Sequence, residues 1–354
     1  MPRRESGSGR HAARGLARCS SLAVAAVVLL GGVVPEPDVE PDLREVLTGR
    51  LGFTTADLRD LQLGRVVRHS IETEGSGEIV VAGAVRVDAA KSLFVERVRD
   101  IVRFKRGPGV LQIGRFGDPP TAEDLAGLSV GLEDFDVRTC RIADCGIRLP
   151  ASLIRQFQRE IDITAPDAQA QAAVLFKRAL IDHVLAYRSG GTGLMLQYDD
   201  GDRPIRPVDE FNGILSTSPF LGLLPPGLAG HLRDFAATRT PGAEDFLYWS
   251  KEQFGVGPFI SVTHVTLTCR SAHACLMITR DVYSSRYVDA SLAVAIASDS
   301  LSWPGAFYLV YANQSRANAL KGRLSGVRKA IASRRARRSL EESLAAAKRR
   351  LEER

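Results

Sequence analysis

FISVTHVTLTC (259–269), ACLMITRDVYSS (274–285), RYVDASLAVAIAS (286–298) and GAFYLVYAN (305–313) follow one another with only short breaks. Their β-branched content and period-two alternation are what strands of a half-buried sheet require. TLTCRSAHACLMI reads as two strands joined by a tight turn, with Cys269 opposite Cys275. After the last run, from about residue 314, the period changes. Leu320, Leu324, Val327 and Ile331 stand at i, i+4, i+7 and i+11, so this portion is expected to pack as a helix. Beyond Ile331 the stripe lapses into SRRARRS and resumes thinly at Leu340, Leu344 and Leu351. Residues 332–354 are therefore expected to project as a basic helical extension.

Working outward, strands are expected around 65–73 and at 78–87, about a Gly-Ser-Gly turn at 75–77. A helix follows from about 89 to 101, carrying Leu93, Phe94, Val98, Ile101 and Val102, with Asp88 placed as its cap. LQIGRFG (111–117) and FDVRTCRIADCGIRL (135–149) read as strands, with a short helix from Thr121 between them. Two helices occupy 150–188; Thr164 and Asp167 mark the start of the second, with Val174, Ile181 and Leu185 as its stripe. Residues 199–245 are rich in proline and glycine, and Phe246, Tyr248 and Trp249 after them form an aromatic cluster expected to pack in the core. Strands, central helices, further antiparallel strands and a closing helix make an α+β domain, not a doubly wound one. The expected division is a leader at 1–34, an acidic linker with a short helix at 35–63, a domain over 64–331 with a helical and irregular insertion at 150–258, and the tail.

The leader reading rests on charge and length. Arg3, Arg4, Arg10, Arg14 and Arg18 precede the uncharged run Cys19–Val34, and PEPDVEPD follows it. That is a secretory signal or a short signal anchor. Leu22–Val34 is nearer the length of a signal core than of a full bilayer span. The expectation is an exported chain, periplasmic or anchored to the inner membrane by residues 19–34. The four cysteines beyond Cys19 stand in two local pairs, Cys140/Cys145 and Cys269/Cys275, which suits disulfides in an exported chain. Zinc held by all four is the rival, but the five residues between Cys269 and Cys275 exceed the usual spacing of zinc pairs.

The net charge of +6 is set by the two ends: residues 1–20 carry +4, residues 316–354 carry +9, and 21–315 carry −7. A mildly acidic body argues against nucleic acid as a partner. Arg334, Arg335, Arg337 and Arg338, with Lys348, Arg349 and Arg350, would attract anionic headgroups or another acidic surface; a solvated helix end is the plainer reading. No phosphate loop, nucleophile elbow or HExxH appears, and His69, His183, His231 and His273 show no metal-ligand spacing. No cofactor or metal is expected.

EIVVAGAVRVDAAKSLFVERVRDI (78–101) and the final strands with their helix, Phe259 to Ile331, are similar to the helix-grip fold of the START and polyketide-cyclase-like superfamily. The resemblance covers about two-thirds of the chain by pattern. More locally, CRIADCGIRLP, PGAEDFLYWSKEQFG and YSSRYVDASLAVA resemble segments of uncharacterised exported bacterial proteins. The superfamily resemblance implies a curved antiparallel sheet gripping the C-terminal helix over an apolar cavity, and so a hydrophobic small molecule or lipid as ligand. Candidate polar groups for it alternate along 283–291: Tyr283, Ser285, Tyr287 and Asp289, with Ser291. His264, in mid-strand, would serve beside Asp289 or Tyr287 as a general base if the scaffold is a cyclase- or hydrolase-like enzyme. An envelope interaction protein without a ligand is the remaining alternative.

Overall fold

The computed structural model describes residues 41–353, apart from 74, 76, 200–203, 225–226, 239, 255–256, 270 and 323–324. The expected signal or anchor at 1–34 lies outside the described residues. Eight strands make one sheet: β1 (Val67–Ile71), β2 (Glu78–Val87), β3 (Val110–Arg115), β4 (Glu244–Phe254), β5 (Gly257–Cys269), β6 (Ala274–Ser284), β7 (Ala290–Asp299) and β8 (Phe307–Arg316). Their order is β1-β2-β8-β7-β6-β5-β4-β3, every neighbouring pair is antiparallel, and the sheet is curved and unclosed. The helices are α1 (Pro41–Glu45), α2 (Thr55–Gln62), α3 (Lys91–Arg99), α4 (Ile101–Lys105), α5 (Ala151–Glu160), α6 (Ala168–Gly190), α7 (Pro207–Thr217), α8 (Leu228–Arg233) and α9 (Ser325–Glu352). The fold is α+β, with the long C-terminal helix gripped by the sheet and a helical insertion, α5 to α8, between β3 and β4.

Alternation along each strand sorts side chains to two faces. On one face, β2, β6, β7 and β8 present Val80, Ala82, Ile278, Leu292, Val294 and Val310 to α1, α2, α7 and α8. Toward β4 that face is covered by α5 and α6 through Phe157, Phe176, Leu180 and Val184. The opposite face is covered by α3, α4 and α9: Val81, Val85, Val265, Ala295 and Leu309 meet Phe94, Val98, Ile101, Leu340 and Leu344. Gly83 permits the close approach of α9. A Cβ there would stand 2.8 Å from Leu344 Cδ1 and 2.9 Å from the Val67 carbonyl oxygen.

Several sequence expectations are corrected. The packed half of α9 is its C-terminal half: Leu340, Leu344 and Leu351 are buried, whereas Val327 and Ile331 are exposed. The 320–331 stripe is not one helical face, because Asn318–Leu320 is a 3-10 turn and the helix begins at Ser325. The helical pattern expected after the acidic linker is borne out and lies in the core: Leu43, Leu47, Leu51, Leu58 and Leu61 are buried, with Phe53. Residues 135–149 are turns rather than strands; Phe135, Val137, Ile147 and Leu149 point inward, but the Cys140–Cys145 disulfide folds the backbone between them. The cluster of Phe246, Tyr248 and Trp249 is part of β4, inside the stretch assigned to the insertion. In α6 the buried residues include Ala172, Phe176, Leu180, His183 and Tyr187; Val174 is 66% exposed. Asp88 does not cap α3, whose N-cap is Ala90.

Candidate functional site

The run 283–291 does not form one strand. β6 ends at Ser284 and β7 begins at Ala290, so Ser285, Tyr287 and Asp289 lie in the turn between them and present no common row with Tyr283. Their polar atoms tie this end of the sheet together. The Tyr283 hydroxyl donates to the Arg148 carbonyl at 3.0 Å, and Ser285 Oγ accepts from the Ile260 amide at 2.8 Å. Asp289 is buried, accepts from Arg148 at 2.6 Å and also takes the Asn318 amide. Tyr287 adopts φ 65° and its hydroxyl reaches the Gly257 carbonyl at 3.5 Å.

His264 keeps different company. In mid-β5 it stands between Leu247 of β4 and Arg280 of β6, and it is buried. Burial pushes its pKa down, so the ring is neutral. The Tyr187 hydroxyl, in the last turns of α6, donates to Nδ1 at 2.8 Å, and Nε2–H donates to Asp245 Oδ1 at 2.9 Å. Thr266 Oγ1 and His231 Nε2 donate to the same oxygen at 2.6 and 3.0 Å. His231 also turns Nδ1 to the Thr238 carbonyl. Phe235 packs over the group, its ring 4.3 Å from His264 and 5.7 Å from Tyr187.

Desolvation alone would raise the Asp245 carboxyl, but the hydrogen bond and favourable electrostatics from His264, then the bonds of Thr266 and His231, outweigh it and hold the group at about 2. Desolvation pushes Tyr187 up to about 12, so its hydroxyl stays a donor. Beside this chain lies Arg280, fully buried, with no carboxylate of a described residue on its guanidinium. It donates to the Leu232 carbonyl at 2.5 Å and Thr192 Oγ1 at 3.2 Å, and stacks 4.2 Å over Phe211.

Asp245 lines a cavity of about 560 Å³ where β4 runs past the end of β3. The remaining lining is Arg115, Phe116, Gly117, Asp118, Asp124, Arg188, Phe246 and Leu247. Its other charged groups each have a local partner. Arg188 pairs with Asp118 at 2.5 Å, Arg115 lies 4.2 Å over the Phe246 ring, and Asp124 Oδ2 accepts the Gly117 and Thr121 amides at 3.0 and 2.8 Å. Asp245 gathers three side-chain donors, two of them from histidines, on Oδ1; its Oδ2, like Asp124 Oδ1, takes none from a described residue. An ionised carboxylate with one oxygen unspent can hold a cationic or donor group.

The face toward α3, α4 and α9 carries a second polar group. Tyr248, Thr263 and Asp281 are neighbours across β4, β5 and β6. Lys105 at the end of α4 pairs with Glu252 at 2.5 Å and lies 5.4 Å over the Tyr248 ring. Thr263 Oγ1 donates to Asp281 Oδ1 at 3.4 Å. Asp281, half-buried, is pushed up to about 7, chiefly by desolvation and then by the charge of Glu252, against the pull of Lys105.

Asp245, Tyr187 and Arg280 were not legible beforehand as site residues. One signal existed: adjacent charges, Arg280-Asp281, in an otherwise apolar strand, where alternation must send one to each covered face. Among the described residues no group of three or more His, Cys, Asp or Glu is placed to hold a metal ion. The four cysteines form the two local disulfides, Cys140–Cys145 and Cys269–Cys275, as suits a chain that matures in an oxidising environment. No helix among the described residues is long and apolar enough to cross a membrane. Neither family models, nor curated proteins, nor solved structures give a match to this chain.

Proposed function

We propose that this is an exported binding protein of the cell envelope that takes an amphipathic small molecule in the cavity beside Asp245. The observation that carries the reading is an ionised carboxylate, braced from behind by His264, His231 and Thr266, on the wall of a cavity of about 560 Å³. A protonated amine or comparable donor would sit against Asp245 Oδ2. Phe116, Phe246 and Leu247 would take the apolar part. The hydrophobic ligand expected from the resemblance thus acquires a polar head, because five of the nine lining residues are charged. Residues 19–34, as a cleaved signal or retained anchor, would deliver the chain to the envelope.

The test is native mass spectrometry of the full chain purified from a bacterial envelope, followed by organic extraction, alongside Asp245→Asn. A co-purifying small molecule that the variant loses supports the reading. A clean apo mass that does not change on incubation with envelope extract overturns it.

A second reading, acid–base catalysis on the same scaffold, is favoured by Asp281. A half-buried carboxyl at about 7 exchanges protons at neutral pH, as a general acid or base must. Asp245 suits that role poorly, since a group held at about 2 is too weak a base.

A further inference from the structure

α9 is two helices in one by its surroundings. Leu340, Leu344 and Leu351 bury its C-terminal half against the sheet, while Val327 is 61% and Ile331 51% exposed. At roughly 100° per residue, Val327, Ile331, Arg334, Arg335 and Arg338 share one arc, about opposite the leucine face. Arg334, Arg335, Arg337 and Arg338 are all exposed. Arg338 pairs with Glu342 one turn on, at 3.0 Å and in full solvent, and the other three form no ion pair with a described residue. From Ala317 to Leu340 the chain carries eight Lys or Arg and no Asp or Glu. Among the described residues of this stretch, Lys321 reaches Glu210 at 3.4 Å, Arg328 the Ala319 carbonyl at 2.9 Å and Lys329 the Thr73 carbonyl at 3.3 Å.

Solubility alone asks for charge on an exposed helix but not for two β-branched aliphatics amid the charge. Exposed aliphatics flanked by arginines are what a helix lying in a lipid headgroup layer presents: the side chains enter the acyl boundary and the guanidinium groups meet the phosphates. From these positions we infer that the outward face of the N-terminal half of α9 docks on an anionic phospholipid surface. A soluble polyanion would satisfy the arginines but leave Val327 and Ile331 in water. This face is separate from the Asp245 cavity, and the inference stands whether or not that cavity binds a ligand.

The test is flotation of the full chain with vesicles of phosphatidylcholine alone or with about 30% phosphatidylglycerol, a surface charge typical of anionic membranes. Two variants accompany it: Arg334→Gln with Arg335→Gln, Arg337→Gln and Arg338→Gln, and Val327→Ser with Ile331→Ser. These side chains are solvent-exposed, so both variants should keep the parent's melting temperature. The parent should favour the anionic vesicles at least about tenfold, a preference lost near 0.5 M salt. The glutamine variant should lose most of that preference, and the serine variant should bind anionic vesicles several-fold more weakly than the parent. Insertion of residues 19–34, and any pull of the five leader arginines on anionic lipid, is common to the parent and both variants, so the difference between parent and variant reports on α9. Equal binding of the parent to both vesicle types overturns the inference. So does a serine variant that binds as the parent does, with a soluble polyanion stripping both from the vesicles.

Discussion

Asp281→Asn tests the electrostatics of the α9-covered face with one atom exchanged. The carboxyl sits at about 7 against an ordinary 3.8, with desolvation the largest cause. A folded value above the unfolded one means the native state holds the proton more tightly. The stability this gives is complete below 3.8 and is lost as pH rises through about 7. Full ionisation in the native site has a ceiling of ~4 kcal/mol, which solvent access to a half-buried group reduces to about 1–2 kcal/mol. Asparagine has the shape of the protonated acid and no charge to desolvate. Relative to the parent it should be nearly neutral at pH 4, gain steadily to about pH 7, and level off at roughly 3–6 °C in melting temperature above that. Thermal melts of both proteins between pH 4 and 8.5 measure the difference, in which titrations common to both cancel. A difference that is flat across that range, or that falls with pH, would refute the claim that burial keeps Asp281 protonated.

Two further outcomes test the packing. Leu344→Ala should cost about 2–4 kcal/mol in urea denaturation, because it opens a cavity where α9 meets Gly83, whereas Ile331→Ser should stay within about 0.5 kcal/mol; similar losses at both positions would mean that α9 packs along its whole length. Tyr187→Phe should cost about 1–3 kcal/mol by leaving buried His264 Nδ1 without its donor, as read from the same denaturation curves, and an unchanged midpoint would show that this hydrogen bond is not made in solution.

The strands were legible where alternation meets β-branched content. Runs at 259–298 and 305–313 appear as β5 to β8, and the local cysteine pairs as disulfides, because hairpin register and spacing are short-range properties. What failed depended on distant partners. Nothing near Leu340 announces that β2 offers it a glycine to pack on, while Val327 and Ile331 form a tidy stripe that no described element covers. The turn at 285–289 imitates a strand because Ser285, Tyr287 and Asp289 alternate, yet Tyr287 takes positive φ and Asp289 is drawn to Arg148. His264 was legible as a candidate, but its partners were not: Asp245 lies on β4, inside a stretch assigned to an insertion, and Tyr187 on α6, outside its expected stripe.

The two polar groups are joined through β6. Arg280 points to the Tyr187 side and Asp281 to the Lys105 side, because consecutive residues of a strand face opposite ways. Each is costly to bury alone. Burial lowers the Arg280 pKa and raises that of Asp281, and each charge partly offsets the penalty of the other. The guanidinium also stands 5.1 Å from the Tyr187 ring, whose hydroxyl begins the chain to His264 and Asp245. The adjacent Arg-Asp pair that looks misplaced in β6 thus gives each covered face of the sheet one of two charges that partly compensate each other.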